Sequence, residues 1–447
     1  MLHRFADYNW RTGAVSQREV ANTNHDMFCP GISALQDGRI VITGGSDAEK
    51  VSIYDPSTNQ FTRGPDMKIA RGYQTSATLS DGRVFTIGGS YSGGIFRKPG
   101  EVYDPAASTW ALLQGADPAP LETTDREGAW RIDNHAWLFS WSNGSVFQAG
   151  PSKAMHWYGT ANGGSVTNAG VRDANNDAMC GVNVMYDAGK IFTAGGSQDY
   201  TNSAAFKSAH LISITTPDAA ATVEQLPAMR YPRGFANAVV LPDGKVLITG
   251  GQKRSLVFTN TDSSLPAELF DPATKTFRAL AEEARPRNYH SVSILLADGT
   301  VFSGGGGLCY VGGGRGGNDA GCDRSVDHLN GQIFSPPYLF KADGTAAVRP
   351  VISSVSVTSA RPGDTITVRM SNSNTGLKFS LVRMGSATHS INSDQRRIAL
   401  TQVTQAASRW SVKLPSDSGV LLPGYWYVFA VNGKGVPSVA KVLQVTL

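Results

Sequence analysis

Asp37-Gly38-Arg39-Ile40-Val41-Ile42-Thr43-Gly44-Gly45 is a turn, a short apolar run and a glycine pair, and the chain returns to this pattern. It recurs as Asp81-Gly82-Arg83 running to Gly88-Gly89 and as Asn143-Gly144-Ser145 running to Gly150. Gly189-Lys190 runs to Gly195-Gly196, Asp243-Gly244-Lys245 to Gly250-Gly251, and Asp298-Gly299-Thr300 to Gly304-Gly305. Asp-Gly and Asn-Gly pairs read as hairpin turns because the turn needs positive φ. The apolar runs on either side read as buried strands. A second pattern follows most of the glycine pairs: Tyr54-Asp55-Pro56, Tyr103-Asp104-Pro105 and Phe270-Asp271-Pro272, each with an aromatic residue soon after. This adds a third strand, a turn and a fourth strand.

Four short strands in a repeat of roughly fifty residues are the mark of a kelch-type β-propeller blade. The expected fold is all-β: a seven-bladed propeller over residues 1–340, followed by an Ig-like β-sandwich over residues 341–447. Six blades carry the glycine pattern. The seventh is expected to be shared between the residues after Gly306 and the segment around Trp10, so the N-terminal blade reads as incomplete. Pro336-Pro337 and Asp343-Gly344 mark the exit from the propeller. Beyond Pro350 come short alternating strands, Val351–Val357, Thr365–Met370, Lys378–Val382, Trp410–Leu414 and Trp426–Val431, the pattern of a small sandwich.

Composition narrows the function. Of 447 residues, 49 are Gly, 41% are hydrophobic and 17% are charged, which is globular and rich in turns. The net charge is +4 with no basic stripe, so nucleic acid is not an expected partner. No apolar stretch reaches membrane-spanning length. The first residues, Met1 to Asp7, lack the apolar core of a signal peptide. There are four cysteines; Cys309 and Cys322 share one Gly-rich loop and are the expected disulfide, while Cys29 and Cys180 need another explanation.

Aligning the repeats on the turn glycine brings chemistry into register. Nine positions before each one stand Cys29, Tyr73, His135, Cys180, Phe235 and His290. Equivalent positions in successive blades lie at equal height, so these six should form a ring facing the channel if the following strand is the innermost. Small or apolar filler is the ordinary content of such positions. A lone ring histidine is more often a hydrogen-bonded structural residue than a ligand, and a lone tyrosine likewise. His290 beside Tyr289, facing Tyr73 and Cys29 across a channel, is a different case: imidazole and phenolate make an N,O set that suits Cu(II) better than zinc or magnesium.

Five motifs then carry a resemblance: His25-Asp26-Met27-Phe28-Cys29-Pro30-Gly31, Ala70-Arg71-Gly72-Tyr73-Gln74, Asn288-Tyr289-His290-Ser291, Gly385-Ser386-Ala387-Thr388-His389 and Asp394-Gln395-Arg396-Arg397. In this order they resemble the galactose oxidase family of copper radical oxidases over nearly the whole chain. The resemblance implies one copper ion, with Tyr73, His290 and His389 equatorial and Tyr289 axial. It implies a thioether between Cys29 and Tyr73 that holds a radical, and a hairpin that carries His389 up the channel. It implies oxidation of a primary alcohol to an aldehyde with reduction of O2 to hydrogen peroxide, in an extracellular monomer. No dinucleotide or phosphate-loop fingerprint calls for an organic cofactor.

The pocket departs from the family pattern. Tyr91 stands where the galactose-oxidising members place a Trp over the radical Tyr. Arg131 matches the sugar-binding Arg and Phe258 an aromatic wall, but Trp130 replaces a Tyr. After Asp199-Tyr200, Thr201 replaces a sugar-binding Gln. A lost hydrogen-bonding amide points away from galactose and towards aryl or other non-sugar primary alcohols. Cys309 and Cys322 are spaced more widely than in the family, with an insertion from Gly312 to Gly317. Cys180 is expected to be a buried free thiol, and His135 either supports the ligands or is structural. A Phe wall that the family supplies from further upstream has no counterpart. The competing readings are galactose oxidase proper, a glyoxal oxidase acting on small aldehydes, and a metal-free kelch protein-interaction module. The glyoxal oxidases have a different Cys context. The kelch module leaves Cys29, Tyr289-His290 and His389 unexplained.

Overall fold

The computed structural model describes residues 4–307, 324–372 and 376–447. The Cys309–Cys322 pairing and the 312–317 insertion lie outside the described residues. The turn chemistry works as read: Gly38 sits at φ 92°, its N–H donates to Leu35 at 3.1 Å, and the Leu35 N–H donates to Arg39 at 2.8 Å. Five of the repeats form four-stranded antiparallel sheets, spanning residues 31–63, 75–113, 138–171, 182–225 and 234–282. The sixth, from Ser291 to Phe334, shows three strands among the described residues. Helical structure among the described residues is confined to short 3-10 turns.

The glycine pairs stitch one blade to the next. The N–H groups of Gly45, Gly89, Gly196 and Gly251 donate to the carbonyls of Arg71, Asp133, Arg233 and Arg287, at 2.9, 3.2, 2.8 and 2.9 Å. A side chain could not fit here: a Cβ on Gly44 would lie 2.3 Å from the Arg71 carbonyl oxygen. The segments receiving these bonds lead directly into the ring positions. Two of them are also held by fully buried ion pairs, Arg71 with Glu101 at 2.9 Å and Arg233 with Glu268 at 3.1 Å.

The seventh unit differs from expectation. Among the described residues, Arg4–Tyr8 and Val15–Glu19 pair only with each other and Gly331–Phe334 belongs to the His290 sheet, so no sheet is shared between them. The N-terminal hairpin lies between the last and first repeats. Tyr8 packs on Phe302 at 4.7 Å between ring centroids, and Phe5 packs on Phe61 at 4.4 Å.

After Ile352 a four-stranded and a five-stranded sheet face each other over a core of Phe379, Trp410, Trp426 and aliphatic residues. The expected strands are there, with added strands at Ser359–Ala360, Arg397–Leu400, Val403–Ala406 and Lys441–Val445. One connection of this sandwich, from Gly385 to Arg397, plugs the propeller channel. Asp394 accepts from the Ala34 N–H at 2.8 Å and from the Thr78 hydroxyl at 3.3 Å. The Ser393 hydroxyl donates to the Ser76 carbonyl at 2.6 Å. Gln395 accepts from the Val240 N–H at 2.9 Å and donates to the Ala238 carbonyl at 3.1 Å. Arg396 donates to the Ser140 carbonyl at 2.9 Å, and Arg397 to the Pro242 carbonyl at 3.0 Å. Four blades are thus gripped by four consecutive side chains, Ser393 to Arg396. Asp394 itself is paired with Arg383, and both side chains are 1% exposed.

Removing one partner of a buried pair strands the other charge, which costs about 3–5 kcal/mol. Asp394→Asn should lower the urea-unfolding midpoint accordingly. Asp37→Asn, which breaks an exposed pair with Arg39 at 2.7 Å, should change stability by less than about 1 kcal/mol. Equal midpoints for the two variants would refute the plug's structural role.

Candidate metal centre

All six ring positions have positive φ, and five of them share one left-handed state. Cys29, Tyr73, His135, Cys180 and Phe235 have φ of 62, 64, 54, 58 and 59°, and His290 has 142°. Non-glycine residues held there store about 1–3 kcal/mol each. Hydrogen bonds between neighbours hold them: Tyr73 N–H to the Cys29 carbonyl at 3.2 Å, His135 N–H to Tyr73 at 2.9 Å, and Phe235 N–H to Cys180 at 3.0 Å. Each left-handed residue turns the chain from its entry loop into the innermost strand, with its side chain at the channel mouth.

The plug delivers His389 into this ring, at φ 49°. Its ring lies 4.9 Å from Tyr73, 4.8 Å from His290, 5.8 Å from Tyr289 and, stacked at 18°, 4.9 Å from His135. Tyr289 and His290 pack at 3.6 Å, and the Tyr73 and Tyr289 hydroxyls are hydrogen-bonded. All the residues read as copper ligands therefore converge.

The hydrogen bonds occupy Nδ1 of both imidazoles and leave Nε2 facing the centre. His290 Nδ1 lies 3.1 Å from the Gly307 carbonyl, which can only accept, so the proton is on Nδ1 and Nε2 bears the lone pair. His389 Nδ1 is engaged by the Thr388 hydroxyl at 2.7 Å. Both Nε2 atoms are buried with no protein partner. Two buried imidazole nitrogens left without a partner among the described residues are what a metal would fill, and tethering of the far nitrogen is how ligating imidazoles are oriented. With two phenol oxygens alongside, the donor set fits copper.

Cys29 Sγ and a ring nitrogen from each of His290 and His389 lie within 4.8 Å of one another, so the thiol is a third potential ligand by distance. Burial pushes the Cys29 thiol up to about 12, only partly offset by its hydrogen bond with Tyr73. Binding there as a thiolate would require the metal itself to remove that proton. Burial also pushes the Tyr73 and Tyr289 hydroxyls well above the usual phenol range and holds His290 down to about 4.

Around the centre, Tyr91 meets the Tyr73 ring edge-on at 4.1 Å, and Trp130 tilts against Tyr91 at 5.3 Å. The Tyr91 loop is pinned: Ser90 donates its N–H and hydroxyl to Asp133 at 2.8 and 2.7 Å, and buried Lys98 donates to the carbonyls of Gly89 at 3.0 Å and Ser92 at 2.6 Å. Phe258 stands edge-on to Tyr289 at 5.0 Å. Arg131 lies over the Tyr200 ring at 3.8 Å and over Trp130 at 4.3 Å. The Tyr200 hydroxyl is 3.3 Å from His135 Nε2, so His135 sits inside the aromatic cluster. Cys180 is buried and in no disulfide. The sequence reading missed Thr388 and Gly307 as orienting groups, and Glu127, whose carboxylate takes Arg131. The spacing of Glu127 and Arg131, four residues apart, was the available signal.

The Galactose oxidase-like, Early set domain family matches residues 349–445, the Glyoxal oxidase N-terminus family 131–309 and the Kelch motif 33–68. A fungal alcohol oxidase of the AA5 family, solved in complex with copper, superposes with a TM-score of 0.91 and 47% identity, over 98% of this chain and 90% of that one. The chain thus belongs to the galactose oxidase family of copper radical oxidases. Within it, the galactose oxidase of Gibberella zeae is 50% identical over 97% of this chain, which spans 63% of that protein's length. The aldehyde oxidase GLOX of Vitis pseudoreticulata is 27% identical over 94% of this chain and 82% of that protein.

The metal-free centre should sense acid. The folded chain keeps His290 neutral down to about pH 4, whereas the unfolded chain protonates it near 6.5. Between those values the unfolded state binds more protons, so stability falls as pH drops through that window. Copper-free protein should have a lower urea midpoint at pH 5 than at pH 7, and His290→Gln should make that slope shallower, leaving the share of the other buried histidines. An unchanged slope would refute this assignment.

Proposed function

We propose that the protein is a copper radical oxidase that converts primary alcohols to aldehydes and reduces O2 to hydrogen peroxide. The observation that carries this reading is the pair of buried, unpartnered Nε2 atoms of His290 and His389 facing the hydrogen-bonded Tyr73–Tyr289 phenols. Tyr73, Tyr289, His290 and His389 would hold the copper. When bound, the metal would supply an open position that acidifies the substrate hydroxyl, and would accept one of the two electrons removed.

The chain's own groups do the rest. Tyr289 takes the hydroxyl proton as general base. Its buried phenol, with a pKa raised by desolvation, is a strong base once ionised. Tyr73, joined to Cys29 by a thioether and held as a radical, removes a hydrogen atom from the carbinol carbon. Tyr91, Trp130 and Phe258 exclude water and flank the radical ring and the base. The family argues for an extracellular enzyme, and no helix among the described residues is long and apolar enough to cross a membrane.

We read aryl or other non-sugar primary alcohols as the preferred substrates. Thr201 Oγ1 donates to Glu127, so it does not replace the sugar-binding amide of the family pattern. The wall around Tyr73 is aromatic, built by Tyr91, Trp130 and Phe258.

Loading with copper in air should yield a Cys29–Tyr73 linked peptide, lighter by two hydrogens, by mass spectrometry. Tyr73→Phe and Cys29→Ser should give no link and no peroxide. Copper binding without a link in the unaltered protein would favour Cys29 as a direct ligand instead. By peroxide release, kcat/KM for benzyl alcohol should exceed that for galactose by about tenfold or more. The reverse order would make it a galactose oxidase proper.

A further inference from the structure

Two loops meet at the mouth above Tyr73, one from the His135 blade and one from the Cys180 blade. They are zipped together. Asp125 accepts from the Tyr200 N–H at 2.7 Å and from the Glu127 N–H at 2.8 Å, which occupies both its oxygens. The Arg126 N–H donates to Asp199 at 3.0 Å, and its guanidinium reaches the carbonyls of Thr201 and Asn202 at 2.9 and 2.8 Å. Arg126 is exposed and paired with Asp199 at 3.6 Å, so its charge is answered outside the pocket.

Glu127 faces inward, and both of its oxygens are taken. One accepts from Arg131 Nε at 2.8 Å, and the other from the Thr201 hydroxyl. Arg131 is 5% exposed and walled by the rings of Tyr200, Trp130, Tyr91 and Tyr73. Its Nη1 is buried and has no protein partner. A guanidinium boxed by aromatic rings with one N–H face free would, alone, capture a carboxylate or a cluster of hydroxyls from a substrate. With Glu127 locked on, the pair is neutral, and an incoming carboxylate meets like charge beside the cation it seeks.

We propose that Glu127 is a specificity-determining residue. Its carboxylate, held by Thr201 and Arg131, cancels the Arg131 charge and biases the pocket towards uncharged alcohols and against anionic ones. The inference rests on reading this pocket as the alcohol site. Glu127 does not touch the reacting atoms; it sets what Arg131 can bind.

The test compares copper-loaded wild type, Glu127→Gln and Glu127→Asp. Calorimetry gives dissociation constants for benzyl alcohol and for 4-(hydroxymethyl)benzoate, which differ by one carboxylate. Peroxide release is followed in parallel. Glu127→Gln should tighten the benzoate relative to benzyl alcohol by about tenfold or more, the worth of one charge-assisted hydrogen bond. Glu127→Asp, which keeps the charge, should leave the ratio near wild type. An unchanged ratio in Glu127→Gln overturns the proposal. So does an equal shift in both variants, because size rather than charge would then be responsible. A shifted ratio with no peroxide from any form would leave Glu127 as the determinant and sink the oxidase reading. Failure of wild type to bind benzyl alcohol would overturn both.

Discussion

The carboxylate of Asp394 is the charge on which this site depends. It is buried against Arg383 and receives hydrogen bonds from the Cys29 and Tyr73 blades. Its neighbours bind the other blades: Ser393 donates to the Tyr73 blade, Arg396 donates to the His135 blade, and Gln395 accepts from the Phe235 blade. A propeller has an open axis, and an open axis fills with water. Here a loop of the second domain fills it with polar side chains, each matched to a backbone group of an inner strand. His389 stands five residues before Asp394, so it is placed by the same bonds. The proposed metal centre thus draws on both the propeller repeats and the sandwich, through a connection anchored by bonds that do not involve the proposed ligands.

The ring above the plug is organised by the other recurrent constraint, the left-handed residue that opens each inner strand. It brings unlike side chains to one level. Tyr73 and His135 come from successive blades, yet both are presented by the same left-handed turn into the strand. Glycine pairs and buried Arg–Glu pairs fix the preceding loops, so strain at the ring is balanced by contacts a few ångströms outward. Tyr91 is held against the Tyr73 ring by Asp133 and Lys98 from neighbouring segments. Orientation here comes from many backbone hydrogen bonds at some distance, and few groups near the ligands are free to adjust.

Much of this was legible in the chain because it repeats. The Asp-Gly turns gave the strands, and counting nine residues back from the turn glycine gave the ring before any contact was known. The residues proposed to hold copper followed from the motifs around it. What could not be read was long-range. The tautomer of His290 depends on the Gly307 carbonyl, seventeen residues on in sequence. The role of Glu127 depends on Thr201, which comes from another blade. The partner of the N-terminal hairpin, expected in a blade shared with the residues after Gly306, was not legible because strand patterns do not name their partners; among the described residues the hairpin pairs with itself. Strands such as Val403–Ala406 were missed because they are mostly exposed and lack the apolar alternation that marks a half-buried strand.

The left-handed ring also bears on how such a protein can change. At positive φ glycine is the relaxed residue, so replacing Cys29, Tyr73 or His135 by glycine would remove backbone strain while removing the chemistry. Natural drift and engineering for robustness thus push these positions towards the same inert residue. A descendant freed from oxidase duty would have an easy route to a smooth, empty channel with its blades intact. The glycine stitches and the plug would survive that loss, leaving a sturdy scaffold whose loops could be recruited for recognition alone.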